Sequence, residues 1–268
     1  MTVKRLQSRK PKLGQNFLKD ESYARRIVDA LGDIADFIVI EIGPGRGVLT
    51  RLLAERCKKL IAVELDGTLA SKLTDDLKDM NNIEILQADA LEVNLRALVA
   101  GSHDNAKLIG NLPYYITSDL LLHFFAAHDV FTELIVMVQL EVAERICAEP
   151  GGKDFGMLSA TAQFYCDCRL LFKLPPRAFA PPPKVHSAVV RMKVAAKAHL
   201  WGVEEKEFIA FLRKCFGHKR KTLHNNLRQH LETERVETAL KGVGLEMNVR
   251  AEAVELERLA ELHKQLRG

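Results

Sequence analysis

The chain has 268 residues, 47% of them apolar, enough to bury one sizeable core and leave material for a smaller second unit. No stretch approaches the roughly 18 uninterrupted apolar residues that a membrane span needs, and five cysteines scattered at 57, 147, 166, 168 and 215 argue against a disulfide scaffold. The net charge of +4 is modest but segregated: residues 1–20 hold six Lys or Arg against Asp20 alone, and residues 175–231 hold twelve against three Glu, which suggests a polyanionic partner.

The amino end, MTVKRLQSRKPKLGQNFLKD, is basic but has neither the apolar segment nor the small-residue cleavage site of a secretory signal, so a soluble, cytosolic protein is expected. From Phe37 onward, short β-branched runs alternate with helical patterns, the mark of a parallel sheet covered by helices. FIVIEIG reads as a buried strand and VLTRLLAERC as a helix, with Val48, Leu49, Leu52 and Leu53 at helical spacing. KLIAVELD is the second strand, followed by the helix TLASKLTDDLKD. IEILQAD, AKLIGNLP and ELIVMVQ are the third, fourth and fifth strands, with SDLLLHFFAAH between the last two. After Gly156 a short helix leads into CRLLFKLP, and SAVVRMKV completes a set of seven. Only a proline-rich loop separates these last two strands, so they form an antiparallel hairpin at one sheet edge. Cys166 and Cys168 have the spacing of half a metal site, but a two-residue step on a strand merely puts both on one face and no second pair follows, so no metal is expected.

The composition changes after Val194. VEEKEFIAFLRKCFG, RKTLHNNLRQHL and RAEAVELERLAELHKQL each carry an apolar stripe at helical spacing. The reading is an α/β domain over residues 1–195 and a small all-helical domain over residues 196–268.

The turn EIGPGRG, residues 41–47, follows a strand and opens a helix. Its glycines allow tight turning and close backbone approach to a ligand. Glu64 ends the second strand, placed to accept hydrogen bonds from ribose hydroxyls, and Asp89 ends the third, placed to accept from an adenine amine. A dinucleotide fingerprint requires its third glycine at position 48, where this chain has Val. Glu41 also enters the turn as an acid, awkward for a diphosphate but suited to the sulfonium and amino group of S-adenosylmethionine. At the end of the fourth strand stands Asn111-Leu112-Pro113-Tyr114. The exocyclic nitrogen of adenine is a poor nucleophile, because its lone pair is delocalised into the ring. The Asn111 side-chain oxygen and the Leu112 carbonyl can accept its two hydrogens, Pro113 stiffens the turn, and Tyr114 can stack on the base.

Four stretches, GQNFL (14–18), EIGPGRGVLT (41–50), GNLPYYIT (110–117) and FAPPPKVHSAV (179–189), together resemble the ribosomal RNA adenine N6,N6-dimethyltransferases, nearest to the bacterial enzymes of the small (16S) subunit linked to kasugamycin sensitivity. The resemblance covers almost the whole chain and implies a Rossmann-like, seven-stranded class I methyltransferase sheet with an appended helical domain. It further implies that Gln15 and Asn16 close over the methionine end of S-adenosylmethionine, with Leu18 beside them. Gly43 and Gly45 would line the cofactor, Glu64 and Leu65 meet its ribose side, and Asp89 and Ala90 its adenine. Asn111 would stand between cofactor and target, and Phe179 would face the target base opposite Tyr114. Lys219, Arg220 and Lys221, in a stretch that also resembles the family, would face phosphates, as would Lys10 and Lys12 of the basic amino end. The implied partner is the small ribosomal subunit and its RNA, bound by a monomer. One departure is Tyr115, where the bacterial proteins usually have Asn. The alternatives are a macrolide-resistance type enzyme acting on large-subunit RNA, which the helical tail fits less well, and a nucleic-acid-binding factor that has lost catalysis, which would need neither Glu64, Asp89 nor the Asn-Leu-Pro-Tyr turn. Methylation of protein glutamine or of free DNA would not require this pattern of basic elements.

Overall fold

The computed structural model describes residues 16–100 and 106–267. Lys10, Lys12 and Gln15 lie outside the described residues. The chain enters with a two-residue strand, β1 (Phe17–Leu18), and a helix, α1 (Glu21–Asp29), whose first turn is held by the Asp20 carboxylate accepting from the backbone of Ser22 and Tyr23. Then come β2 (Ile38–Ile42), α2 (Val48–Ala54), β3 (Lys59–Glu64), α3 (Gly67–Asp76), β4 (Ile83–Gln87), the short α4 (Leu95–Leu98), β5 (Ala106–Asn111), α5 (Thr117–Ala126) and β6 (Glu133–Gln139). Two helices, α6 (Leu140–Ile146) and α7 (Met157–Tyr165), lead to β7 (Cys166–Leu174), the two-residue β8 (Phe179–Ala180) and β9 (Ser187–Val194).

Seven strands form one sheet in the order β4-β3-β2-β5-β6-β9-β7. The first five are parallel, and β9 is antiparallel to both its neighbours, so the expected edge hairpin is present with its second strand inserted between β6 and β7. Helices cover both faces, which is why the central strands are apolar on both sides: Ile40 and Ile42 belong to one buried cluster and Val39 to the other. The strand order reverses between β2 and β5, and a crevice opens there beyond the carboxyl ends of the strands. The opposite end of the sheet is locked by a buried ion pair. Lys107 lies directly across from Glu133 in the β5–β6 register, with Nζ 2.7 Å from the carboxylate and a second bond to the Leu31 carbonyl, while Arg191 on β9 reaches the same carboxylate at 2.6 Å. Removing one partner would strand the other as an uncompensated buried charge.

The tail contains α8 (Ala198–Trp201), α9 (Glu205–Cys215), α10 (Leu223–Leu227), α11 (Thr233–Gly242) and α12 (Leu256–Arg267). It differs from the sequence reading in three respects. RKTLHNNLRQHL is helical only over five residues, because Thr222 caps the helix at its start and the buried Asn226 amide turns back to bond the carbonyls of Cys215 and His218. The segment Thr233–Gly242 was not singled out as a helix, and it is one. Only Val236, Ala239 and Leu240 are buried there, too narrow a stripe to stand out among its charges. The last helix begins at Leu256, after a single 3-10 turn over Ala251–Ala253. The tail does not stand apart from the sheet. Phe164 of α7 meets Phe208 of α9 with ring centroids 5.1 Å apart, and one continuous apolar cluster runs from β2, β5 and β6 through α5 and α7 into α9, α11 and α12. Among the described residues no helix is long and apolar enough to cross a membrane.

Candidate active site

The crevice is walled by the carboxyl ends of β2, β3, β4 and β5 and closed at one side by β1. It brings together Asn16, Leu18, Glu41, Gly43, Gly45, Glu64, Leu65, Asp89, Ala90 and the whole run from Asn111 to Tyr114. These residues are spread over a hundred positions of sequence, and the parallel topology gathers them because each strand ends at the same edge.

The glycine turn is built for close approach. Gly43 (φ +67°) and Gly45 (φ +57°) both have left-handed backbone, and a β-carbon at Gly45 would stand 2.9 Å from the Phe17 ring. Glu64 pins this turn to the end of β3, one carboxylate oxygen accepting the Gly45 N–H at 3.0 Å and the other the Asp66 N–H at 2.9 Å. Each oxygen keeps a further lone pair for a ribose hydroxyl. Asp89 is similarly arranged: Oδ1 accepts the Leu91 N–H at 2.9 Å, leaving Oδ2 for an exocyclic amine. Glu41, beneath the turn, is 1% exposed, and its Oε2 has no hydrogen-bond partner among the described residues, nor does the buried Thr50 hydroxyl. Burial pushes the Glu41 carboxyl up to about 8, against the opposing effect of the neighbouring Thr50 hydroxyl and with the charge of Glu64 adding to the rise. An orphaned buried carboxyl oxygen under a glycine cradle, with two further carboxylates at adjacent strand ends, fits a nucleoside that carries a cationic substituent. Among the described residues no group of three or more His, Cys, Asp or Glu is placed to hold a metal ion.

The second half of the crevice is the turn after β5. The Asn111 Nδ2 donates to the Asn16 carbonyl at 3.1 Å, which fixes the amide and reserves its oxygen as an acceptor. The Leu112 N–H is taken by the Met137 carbonyl, and the Pro113 carbonyl accepts from both the Ile116 N–H and the Thr117 hydroxyl, so the turn is held from both sides. The Tyr114 hydroxyl lies 2.7 Å from that of Ser187 on β9, and burial raises the phenol above its ordinary value.

Phe179 does not line the crevice. On β8 it pairs with Leu18 of β1, and its side chain, 1% exposed, points into the apolar cluster under the sheet with Leu18, Ile135, Met137 and Val189. Lys219, Arg220 and Lys221 are exposed on the loop between α9 and α10, which the Asn226 amide anchors. Several crevice residues were not identified from sequence. Arg46 lies over the Phe17 ring, 4.7 Å from its centroid, and Ile116 extends the wall beyond Tyr114 together with Tyr115, which the sequence marks as a departure. Ser187 was inside a motif already noted, but only the fold brings its hydroxyl to a tyrosine 73 residues away.

Because Glu64 holds the turn and keeps lone pairs placed for a ribose, Glu64→Ala is expected to weaken S-adenosylmethionine binding by roughly 1–3 kcal/mol and to lower the melting temperature of the free protein. Titration calorimetry with thermal melting checks both, and unchanged affinity in a folded variant would remove Glu64 from the site.

The chain matches the ribosomal RNA adenine dimethylase family over residues 6–266. It is 49% identical to the ribosomal RNA small subunit methyltransferase A of Koribacter versatilis, over 97% of this chain and 95% of the relative, and 45% identical to that of Acidobacterium capsulatum, over 96% and 91%. Among solved structures, the 23S rRNA methyltransferase ErmE superposes with a TM-score of 0.73 at 27% identity, covering 94% of this chain and 100% of that one. A dimethyladenosine transferase from Plasmodium falciparum superposes with a TM-score of 0.80 at 24% identity, covering 92% and 95%, a likeness of fold. With residues 6–266 matched and relatives at 49% and 45% identity aligned over nearly its whole length, the chain belongs to the ribosomal RNA adenine dimethylase family.

Proposed function

We propose that this protein transfers methyl groups from S-adenosylmethionine to the N6 amines of two adjacent adenines in small-subunit ribosomal RNA, giving N6,N6-dimethyladenosine. The observation that carries the reading is that the Asn111–Tyr114 turn and the acidic strand ends open into one crevice, so an adenine amine and a nucleoside cofactor meet there. The relatives named above as small-subunit methyltransferases point to the substrate.

The cofactor supplies an electrophilic methyl on a sulfonium; the rest is done by this chain through position. Glu41 accepts from the cationic substituent, Glu64 from the ribose, and Asp89, beside Ala90, from the adenine. The Asn111 oxygen and the Leu112 carbonyl take the two hydrogens of the target amine, drawing its lone pair out of the ring and aiming it. Tyr114, its hydroxyl tied to Ser187, presents its ring to the base. Phe179 contributes from beneath, by seating β1 and so the Asn16 carbonyl on which Asn111 depends. After one transfer the amine, having lost one proton to solvent, still holds a hydrogen for one acceptor, so the same turn can aim it twice. Residues 1–195 carry this chemistry, and residues 196–268 hold RNA through the loop of Lys219, Arg220 and Lys221.

The test is incubation with undermodified small subunits and excess S-adenosylmethionine, followed by nucleoside analysis over time. Dimethyladenosine is expected at completion. Monomethyl product alone would overturn the product, no methylation would overturn the function, and methylation of large subunits in preference would move the substrate. In the same assay, replacing Lys219, Arg220 and Lys221 together by Ala is expected to raise the subunit concentration needed and flatten its salt dependence, with cofactor affinity unchanged.

A further inference from the structure

Two tyrosines stand side by side at the end of the β5 turn, and they are treated differently. Tyr114 is partly buried and tethered through its hydroxyl to Ser187. Tyr115 is 59% exposed at the mouth of the same crevice, and no hydrogen bond ties its side chain to the described residues. Its backbone is nonetheless firmly held. The Met137 carbonyl takes the Leu112 N–H at 3.0 Å, and the Pro113 carbonyl takes the Ile116 N–H at 3.3 Å and the Thr117 hydroxyl at 2.9 Å. A large ring is therefore displayed to solvent on a rigid turn at the rim of the crevice. Neither packing nor hydrogen bonding in the free protein accounts for an aromatic residue there.

We propose that Tyr115 is a substrate-binding residue that stacks the RNA base adjacent to the target adenine, holding one base at the mouth while its neighbour occupies the pocket. The proposal rests on the function proposed above. Consecutive nucleotides of a single strand that is splayed open need separate π-faces, and consecutive aromatic residues on a fixed turn provide them, one inside and one at the rim. Stacking is tolerant of base identity, so the platform accepts the second adenine before its modification and the dimethylated base after it. The rigid turn keeps the ordering cost of binding low, since only the tyrosine side chain has freedom to lose.

The experiment compares wild type, Tyr115→Phe and Tyr115→Ala on undermodified small subunits. KM, kcat and S-adenosylmethionine affinity are measured, together with equilibrium binding of the subunits to protein loaded with S-adenosylhomocysteine. Tyr115→Ala is expected to raise KM and weaken subunit binding by about tenfold, the lower part of the range for one base stack. Its kcat and cofactor affinity should stay within about twofold, while Tyr115→Phe restores subunit binding because the ring alone is required. Unchanged subunit binding in Tyr115→Ala overturns the proposal, as does a Tyr115→Phe variant as weak as Ala, or a loss confined to kcat or shared with cofactor binding. If wild-type protein methylates no subunit, the functional reading falls instead.

Discussion

Asn111→Ala is expected to bind S-adenosylmethionine almost as well as the wild type and to transfer methyl groups at least about 10²-fold more slowly, the loss typical of removing one preorganised polar group from a reacting centre. In the proposed mechanism the acceptor it removes touches the amine whose lone pair must be aimed, so the effect belongs in kcat. Asn111 also ties β5 to the Asn16 carbonyl, and a loss of activity could come from a loosened β1. Asn111→Asp separates the two contributions: it keeps an acceptor oxygen but cannot donate to Asn16. If Asp retains most of the turnover, the acceptor is what matters. If Asp is as slow as Ala, the tie to Asn16 is equally required. Single-turnover assays with calorimetry decide, and full turnover in Asn111→Ala would end the proposed mechanism.

The second large effect is on the pH dependence of cofactor binding. An ordinary glutamate ionises near 4.5, but Glu41 holds its proton up to about 8 in the folded protein, chiefly because it is buried. Between those values the folded state binds more protons at this site than the unfolded chain. Glu41 therefore lowers the stability of the free protein as pH rises from about 4.5, and the penalty levels off above about 8. A cationic ligand favours the ionised carboxylate, so binding expels the proton at neutral pH, and affinity should climb toward about tenfold per pH unit until it flattens above about 8. Calorimetry at about pH 7 in buffers of different ionisation enthalpy should register release of nearly one proton. Glu41→Gln should abolish that release, bind S-adenosylmethionine weakly at every pH, and resist alkaline destabilisation better than the parent. Affinity that stays flat from neutral to alkaline pH in the wild type would remove Glu41 from contact with the ligand's charge.

The sheet was legible because its strands are short, apolar and punctuated, and the gathering of Glu41, Glu64 and Asp89 in one crevice because they occupy strand ends, where topology alone brings them together. The turn at Asn111 could be read for the same reason. Phe179 was expected at the target base on the family resemblance alone, since its motif says nothing about which way a side chain on a two-residue strand points; in the structure it is buried under the sheet with Leu18. Pairing with β1 decided that, and the pairing joins residues more than 160 positions apart. The Lys107–Glu133–Arg191 cluster was invisible to pattern reading, since a lysine in AKLIGN and a glutamate in ELIVMVQ look like strand ends meeting solvent until the register places them face to face. The short helices α1, α6 and α11 were not singled out from the sequence.

The contact between Phe164 and Phe208 has a geometrical outcome for the way a substrate is chosen. With the sheet and the tail sharing one apolar interior, no hinge separates the loop of Lys219, Arg220 and Lys221 from the turn at Asn111. If that loop holds phosphates and that turn admits a base, as proposed above, the span between the two points is set by this shared packing. An RNA whose own folded shape matches the span would then be favoured over a linear strand carrying the same bases.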